Sequence, residues 1–230
     1  MKKYFKIILV LLIFIISFFI IANIIDTTKE KKYIHKIQNN NNKSITEKLK
    51  QKYNNNDVIG TVAITGTDIN EVIMQTTNNT YYLNHDNYGN KDKYGSVFMD
   101  YRCNINSQKL LIFGHNDFKD KTPFSNLENY YNESYYKENQ YIDVIINDKK
   151  FQYQIFSVYV ETKDFTYMNL NIDETKYSKD LIKYKNKSLY NTKVDVSPTD
   201  KILILQTCSN LKKYQKYKDK YLRIIAKKIA

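Results

Sequence analysis

Cys208 closes an apolar run, Ile202-Leu203-Ile204-Leu205, through the polar pair Gln206-Thr207, and fifteen residues further on stands Arg223. A thiol at the tip of a buried strand, followed by a strand carrying a guanidinium, suggests a nucleophile beside an anion-stabilising partner. Such a thiol also needs a base, and the chain has three histidines, His35, His85 and His115. His115 ends the apolar run Leu110-Leu111-Ile112-Phe113-Gly114 much as Cys208 ends its own. The residues alone therefore propose a site built from Cys208, His115 and Arg223.

Each of these residues also has a plainer explanation. Cys208 could be a small buried hydrophobe, as most free cysteines are. Against that, Gln206-Thr207 signals emergence from the core, and the lysine-rich loop Ser209 to Lys220 brings positive charge near a thiolate. His115 could be a structural histidine, although Gly114 before it permits close backbone approach at a strand end. His85 lies in a polar loop and is read as non-catalytic, and His35 as solvated. Arg223 alternates with Tyr221 and Ile225, a largely apolar face on which a structural ion pair would also account for it.

Lysine is the default cation here, so an arginine suggests a need for a planar, permanently charged fork. The same argument covers Arg102, which stays a rival to Arg223. Cys103 reads as incidental, with a bridge to Cys208 as the other possibility. No C-x-x-C or His/Cys cluster is present, so neither a metal nor another cofactor is expected.

Eight β-type runs must position these groups: 58–65, 71–75, 96–101, 109–114, 141–146, 151–160, 201–207 and 221–229. That number predicts a mostly β fold, a closed or nearly closed eight-stranded barrel with added helices. Asn147-Asp148-Lys149-Lys150 reads as a hairpin turn. Thr122-Pro123 reads as a helix start, with Thr as N-cap. A longer helix over 173–189 follows from Tyr177, Leu181 and Tyr184 at i, i+4 and i+7, and falls between the sixth and seventh strands.

The N-terminal region is different in character. Residues 1–6 form a short stub containing Lys2, Lys3 and Lys6, and residues 7–25 are almost uninterruptedly apolar. Nineteen helical residues cover roughly 28 Å, close to the hydrocarbon thickness of a bilayer. A cleaved secretory signal is the rival reading, but the apolar stretch exceeds a signal core and no A-x-A-like site follows, so an uncleaved anchor is preferred. Lys29, Lys31 and Lys32 flank the other end, and the charge comparison does not orient the helix. Residues 26–57, rich in Lys and Asn and containing Asn39-Asn40-Asn41-Asn42, read as a polar stalk with short helical pieces. Residues 58–230 then form the folded domain.

A formal charge of +12 raises the question of nucleic acid. The charge is nearly all lysine and scattered, so a nucleic-acid partner is not expected. A bland solvated surface is the plainer reading, and a basic face could otherwise meet anionic polymers or lipid head groups.

At this point the residues resemble a sortase of the class B type. Sortases carry T-L-x-T-C at the end of the seventh strand, an Arg in the eighth and a His after the fourth. Here those positions read Ile204-Leu205-Gln206-Thr207-Cys208, Arg223 and His115. The stretches Thr80 to Asp86, Gly95 to Arg102 and Leu111 to Asn116 are similar in order and spacing, and the likeness covers most of 58–230. Ile204 departs from the usual Thr, and Gln206 is bulkier than the common Ser or Thr.

The resemblance implies a sortase-type barrel on a single-pass anchor, with its catalytic domain outside a Gram-positive membrane. It implies a cysteine transpeptidase that cleaves a sorting-signal pentapeptide after Thr through a thioester. The acyl group would pass to an amine of peptidoglycan or its lipid-linked precursor. Cys208 would be nucleophile, His115 acid and base, and Arg223 the oxyanion or backbone donor, with Gln206, Thr207 and Ser209 as groove candidates. Two alternatives are a non-catalytic wall-binding protein on the same barrel and a plain cysteine peptidase.

Overall fold

The computed structural model describes residues 2–38, 44–117 and 122–230. The chain divides into two compact units, Met1–Asn42 and Lys43–Ala230. In the first, helix α1 spans Lys2–Gln38. Among the described residues it is the one helix long and apolar enough to cross a membrane, over Leu12–Lys36, and Phe14, Phe18 and Phe19 on it are 69, 70 and 64% exposed. The polar residues after Ile25 stay helical to Gln38, whereas Asn39 to Asn42 of the expected stalk lie outside the described residues.

The second unit opens with α2, Ile45–Tyr53, whose N-terminus is capped by Ser44 accepting from the Glu47 amide. Eight strands follow: β1 Val58–Ile64, β2 Asn70–Met74, β3 Phe98–Met99, β4 Lys109–Phe113, β5 Tyr141–Ile146, β6 Lys149–Glu161, β7 Ile202–Cys208 and β8 Tyr221–Lys228. Helix α3, Glu133–Glu138, precedes β5, and α4, Glu174–Lys187, lies between β6 and β7. The strands close a barrel in the order β1-β2-β3-β4-β7-β8-β6-β5, the eight-stranded architecture expected from the sequence.

Local chemistry accounts for several joints. Asn147 and Asp148 adopt φ of 48° and 63° between paired Ile146 and Lys149, a two-residue turn of the kind whose twist suits a hairpin. Asp173 caps α4 by accepting from the Lys176 amide, and Tyr177, Leu181 and Tyr184 are buried as their spacing predicts. β1 and β5 approach closely at Gly60, where a Cβ would fall 1.7 Å from the Ile145 carbonyl oxygen.

Two expectations are corrected. The third strand shortens from 96–101 to Phe98–Met99, although its flanks still bond to neighbouring strands, the Val97 carbonyl accepting from the Met74 amide and the Asp100 amide donating to the Leu111 carbonyl, both at 2.9 Å. No helix begins at Thr122: a 3-10 turn starts at Ser125, and the Thr122 hydroxyl donates to the His115 carbonyl at 3.0 Å and accepts from the Asp117 amide at 2.6 Å. Thr122 thus acts on the strand end across from it, a pairing that local sequence does not encode.

Candidate active site

The site lies where β4, β7 and β8 run side by side. β4 and β7 are parallel, with Phe113 opposite Gln206. The pairing continues past the strand end, because the Gly114 amide donates to the Gln206 carbonyl at 3.2 Å and Thr207 Oγ1 donates to the Gly114 carbonyl at 2.7 Å. His115 therefore leaves β4 beside the tip of β7. On the other flank β7 and β8 are antiparallel, with Gln206 opposite Arg223 and Cys208 opposite Tyr221. Side chains alternate along a strand, so Gln206, Cys208, Tyr221 and Arg223 share one face. Cys208 and Arg223 are diagonal neighbours there, at a backbone spacing of about 7–8 Å.

Cys208 is free and borders solvent. The protein around it still desolvates the thiolate and pushes the thiol's pKa above its ordinary value, with the Lys220 ammonium pulling the other way. The resting group is thus a thiol whose ionisation must be assisted. Its backbone is held firmly: Asn116 Nδ2 donates to the Cys208 carbonyl at 2.8 Å, and the Ser209 amide donates to the Lys220 carbonyl at 2.8 Å.

His115 Nε2 lies 2.7 Å from the Leu83 carbonyl oxygen. A carbonyl only accepts, so Nε2 is the donor, and in the neutral ring Nδ1 is left as the acceptor. Leu83 ends the 3-10 turn Tyr81–Leu83, which Tyr82 anchors by donating its phenol to Asp57 Oδ2 and accepting from Asn55 Nδ2, both at 2.9 Å. Gly114 is required sterically, since a Cβ there would sit 2.7 Å from Phe124 Cδ2.

Arg223 is 1% exposed. One Nη donates to the Tyr159 hydroxyl at 3.1 Å, the other to the Asp164 carbonyl at 3.3 Å, and the guanidinium carbon stands 3.4 Å from the centre of the Tyr167 ring. Its Nε has no partner among the described residues. No carboxylate pairs with it among the described residues, so the structural ion pair does not account for this arginine. A buried cation without a counter-charge favours the appearance of an anion nearby.

Arg102 is different. It grips the fully buried Asp100 with two bonds, Nε to Oδ1 at 2.9 Å and Nη2 to Oδ2 at 2.7 Å. Neighbouring Cys103 is buried, donates to the Lys109 carbonyl, and has its thiol pushed up to about 11 by burial. Both cysteines are free, so there is no bridge to Cys208. His85 stacks 3.9 Å from the Tyr81 ring and bonds to the Tyr81 carbonyl, and His35 lies on α1.

Of the groove candidates, Gln206 alone offers surface, and its Oε1 accepts from the Tyr167 hydroxyl. Thr207 is 2% exposed and turned to Gly114, while Ser209 is fully buried with its hydroxyl 2.6 Å from that of Tyr131. No metal-ligating cluster occurs among the described residues. Two contributors carried no signal in the sequence: Asn116, identifiable only by adjoining His115, and Tyr167, one of 22 tyrosines. Together the thiol, the imidazole and a buried guanidinium form a constellation suited to covalent acyl transfer.

Comparison with known proteins adds the family. Residues 62–228 match the sortase domain family. Sortase B of Listeria monocytogenes is 34% identical over 166 residues, covering 70% of this chain and 67% of that protein. The solved Staphylococcus aureus sortase B–substrate complex superposes with a TM-score of 0.78 at 26% identity, covering 90% of this chain and 96% of the other. A crystal structure of sortase B complexed with triglycine gives 0.79 at 26% identity, covering 90% and 97%.

Proposed function

Because the chain belongs to the sortase family of cysteine transpeptidases and is of the class B kind, we propose that Cys208, His115 and Arg223 carry out its transfer. His115 takes the proton of the Cys208 thiol, and the sulfur attacks the carbonyl of Thr in a sorting-signal pentapeptide. The tetrahedral oxyanion forms within reach of the uncompensated Arg223 guanidinium, and His115 supplies a proton to the departing amine. The C–N bond breaks and a thioester remains on Cys208. An amine of peptidoglycan or its lipid-linked precursor, deprotonated by His115, then attacks the thioester and regenerates the thiol.

The observation that carries this reading is that β4, β7 and β8 lie side by side, with His115 following β4 next to the Cys208 end of β7 and Arg223 on β8 opposite Gln206. The substrate complex of the S. aureus protein and the triglycine complex of a sortase B support a peptide donor and a glycine-type amine acceptor. We further propose that residues 7–25 of α1 anchor the protein in a Gram-positive membrane. Residues 1–6 would then be a cytoplasmic stub, 26–57 a connecting segment, and 58–230 the extracellular catalytic domain, whose clients are sorting-signal-bearing surface proteins.

Incubating the detergent-solubilised full chain with labelled sorting-signal peptides, with and without triglycine, tests the proposal. A thioester mass adduct on Cys208 and a new amide with triglycine are expected. Absence of both adduct and cleavage overturns the enzymatic reading, and free acid alone in the presence of amine would make it a peptidase.

A further inference from the structure

We propose that Lys109 is a positioning residue for this transfer, holding the turn that lays Tyr167 over Arg223; the inference rests on the function proposed above. Lys109 opens β4 and is 1% exposed. Alternation puts it on the same face as Phe113, and the β4–β7 register carries that face across to Gln206 and Cys208. A strand position facing a buried layer calls for an apolar side chain, and an ammonium there is costly unless its hydrogens are used.

They are used on one short segment. Lys109 Nζ donates to the Tyr167 carbonyl at 3.0 Å and to the Asn169 carbonyl, and Arg102 Nη2 donates to the intervening Met168 carbonyl at 3.1 Å. Three successive carbonyls are thus gripped by two cations. They lie at the C-terminal end of the 3-10 turn Thr166–Met168. Such carbonyls have no partner within the turn, and a single 3-10 turn does not hold itself together. Burial pulls the Lys109 ammonium down to about 8, with Asp180 of α4 opposing, so this cation is held against a desolvation cost.

The same turn faces the active site at its other end. The Tyr167 ring covers the Arg223 guanidinium, its hydroxyl binds Gln206, and the Asp164 carbonyl just before the turn accepts from Arg223. Arg223 is therefore held by side chains and backbone whose own placement depends on Lys109. Releasing those carbonyls lets the turn shift, and a small misplacement of an oxyanion donor is expensive in rate.

The test compares the wild-type full chain with Lys109→Met. The variant is expected to lose on the order of tenfold to a hundredfold in kcat/KM for peptide transfer. Iodoacetamide alkylation of Cys208 should stay within about twofold, because the thiolate's own surroundings are untouched. Hydrogen exchange over 164–169 should accelerate, and in a Tyr167→Leu background Lys109→Met should cost less than about twofold more, since both act through one element. If Lys109→Met does not fold, the charge-balanced pair Lys109→Met with Asp180→Asn replaces it in every measurement.

Unchanged exchange over 164–169, or rate losses that simply multiply in the double variant, would overturn the assignment. A wild-type chain that transfers no peptide would instead remove the proposed function, while the exchange measurement still decides whether Lys109 holds the turn.

Discussion

Gln206 and Arg223 are cross-strand partners on the β7–β8 ladder, and Cys208 lies two residues beyond Gln206 on the same face. The guanidinium thus sits diagonally behind Cys208, beneath Tyr167, without an ion pair among the described residues. That offset suits a donor aimed at charge developing one bond away from sulfur rather than at the thiolate itself.

Replacing the proposed nucleophile should remove covalent chemistry altogether. Cys208→Ala is expected to lower peptide turnover on the order of a thousandfold or more, as is His115→Ala, with no thioester detectable by mass spectrometry. Residual single-turnover thioester formation by His115→Ala at high pH would place its role in amine protonation alone.

The two arginines should separate cleanly. Arg223→Lys replaces a fork bonded to Tyr159 and Asp164 by a point charge, and kcat/KM should fall about a hundredfold to a thousandfold. Arg102→Lys breaks the two-pronged grip on buried Asp100 and should lower the thermal midpoint, with turnover reduced far less. The reverse ranking would exchange their roles.

Thiol reactivity gives a pH signature. Burial raises the Cys208 pKa, so the alkylation rate should climb with a midpoint above the ordinary cysteine value. Lys220 works in the opposite direction, and its charge stabilises the thiolate. Lys220→Gln should therefore move the midpoint to still higher pH, measured by iodoacetamide kinetics across alkaline pH.

Gly114→Ala would force a methyl against Phe124 at 2.7 Å, on backbone that carries His115. Overpacking of this kind costs about 1–3 kcal/mol, read by denaturant unfolding, and turnover should drop with it. A fully stable, fully active variant would mean that Phe124 yields freely.

Gln206→Ser removes the acceptor for the Tyr167 hydroxyl and opens the face beside the thiol. A changed ranking among sorting-signal peptides is expected, with Cys208 alkylation unaltered. A peptide-library cleavage profile compared with wild type checks it.

The strands and the three catalytic candidates were legible in the sequence because their signals are local. Alternation and apolar runs mark β1 to β8, and Cys208 and His115 each end such a run, where a side chain leaves the core. Scarcity singled out Arg223, yet it singled out Arg102 equally. What separated them was burial and partners: Arg102 on Asp100, Arg223 without a carboxylate among the described residues. The same limit explains Thr207 and Ser209, adjacent to the nucleophile in sequence but turned inward to Gly114 and Tyr131.

By itself the sequence determined the eight strands, the apolar N-terminal helix, the thiol and the imidazole. Only the tertiary structure decided that β4 lies parallel to β7, bringing His115 towards Cys208 across 93 residues of chain, that Asn116 bonds the Cys208 carbonyl and that Tyr167 lies over Arg223. The reason is physical: periodicity records which face of an element is buried. It does not record which distant element buries it, because that choice is made by hydrogen-bond register and packing between segments far apart in the chain.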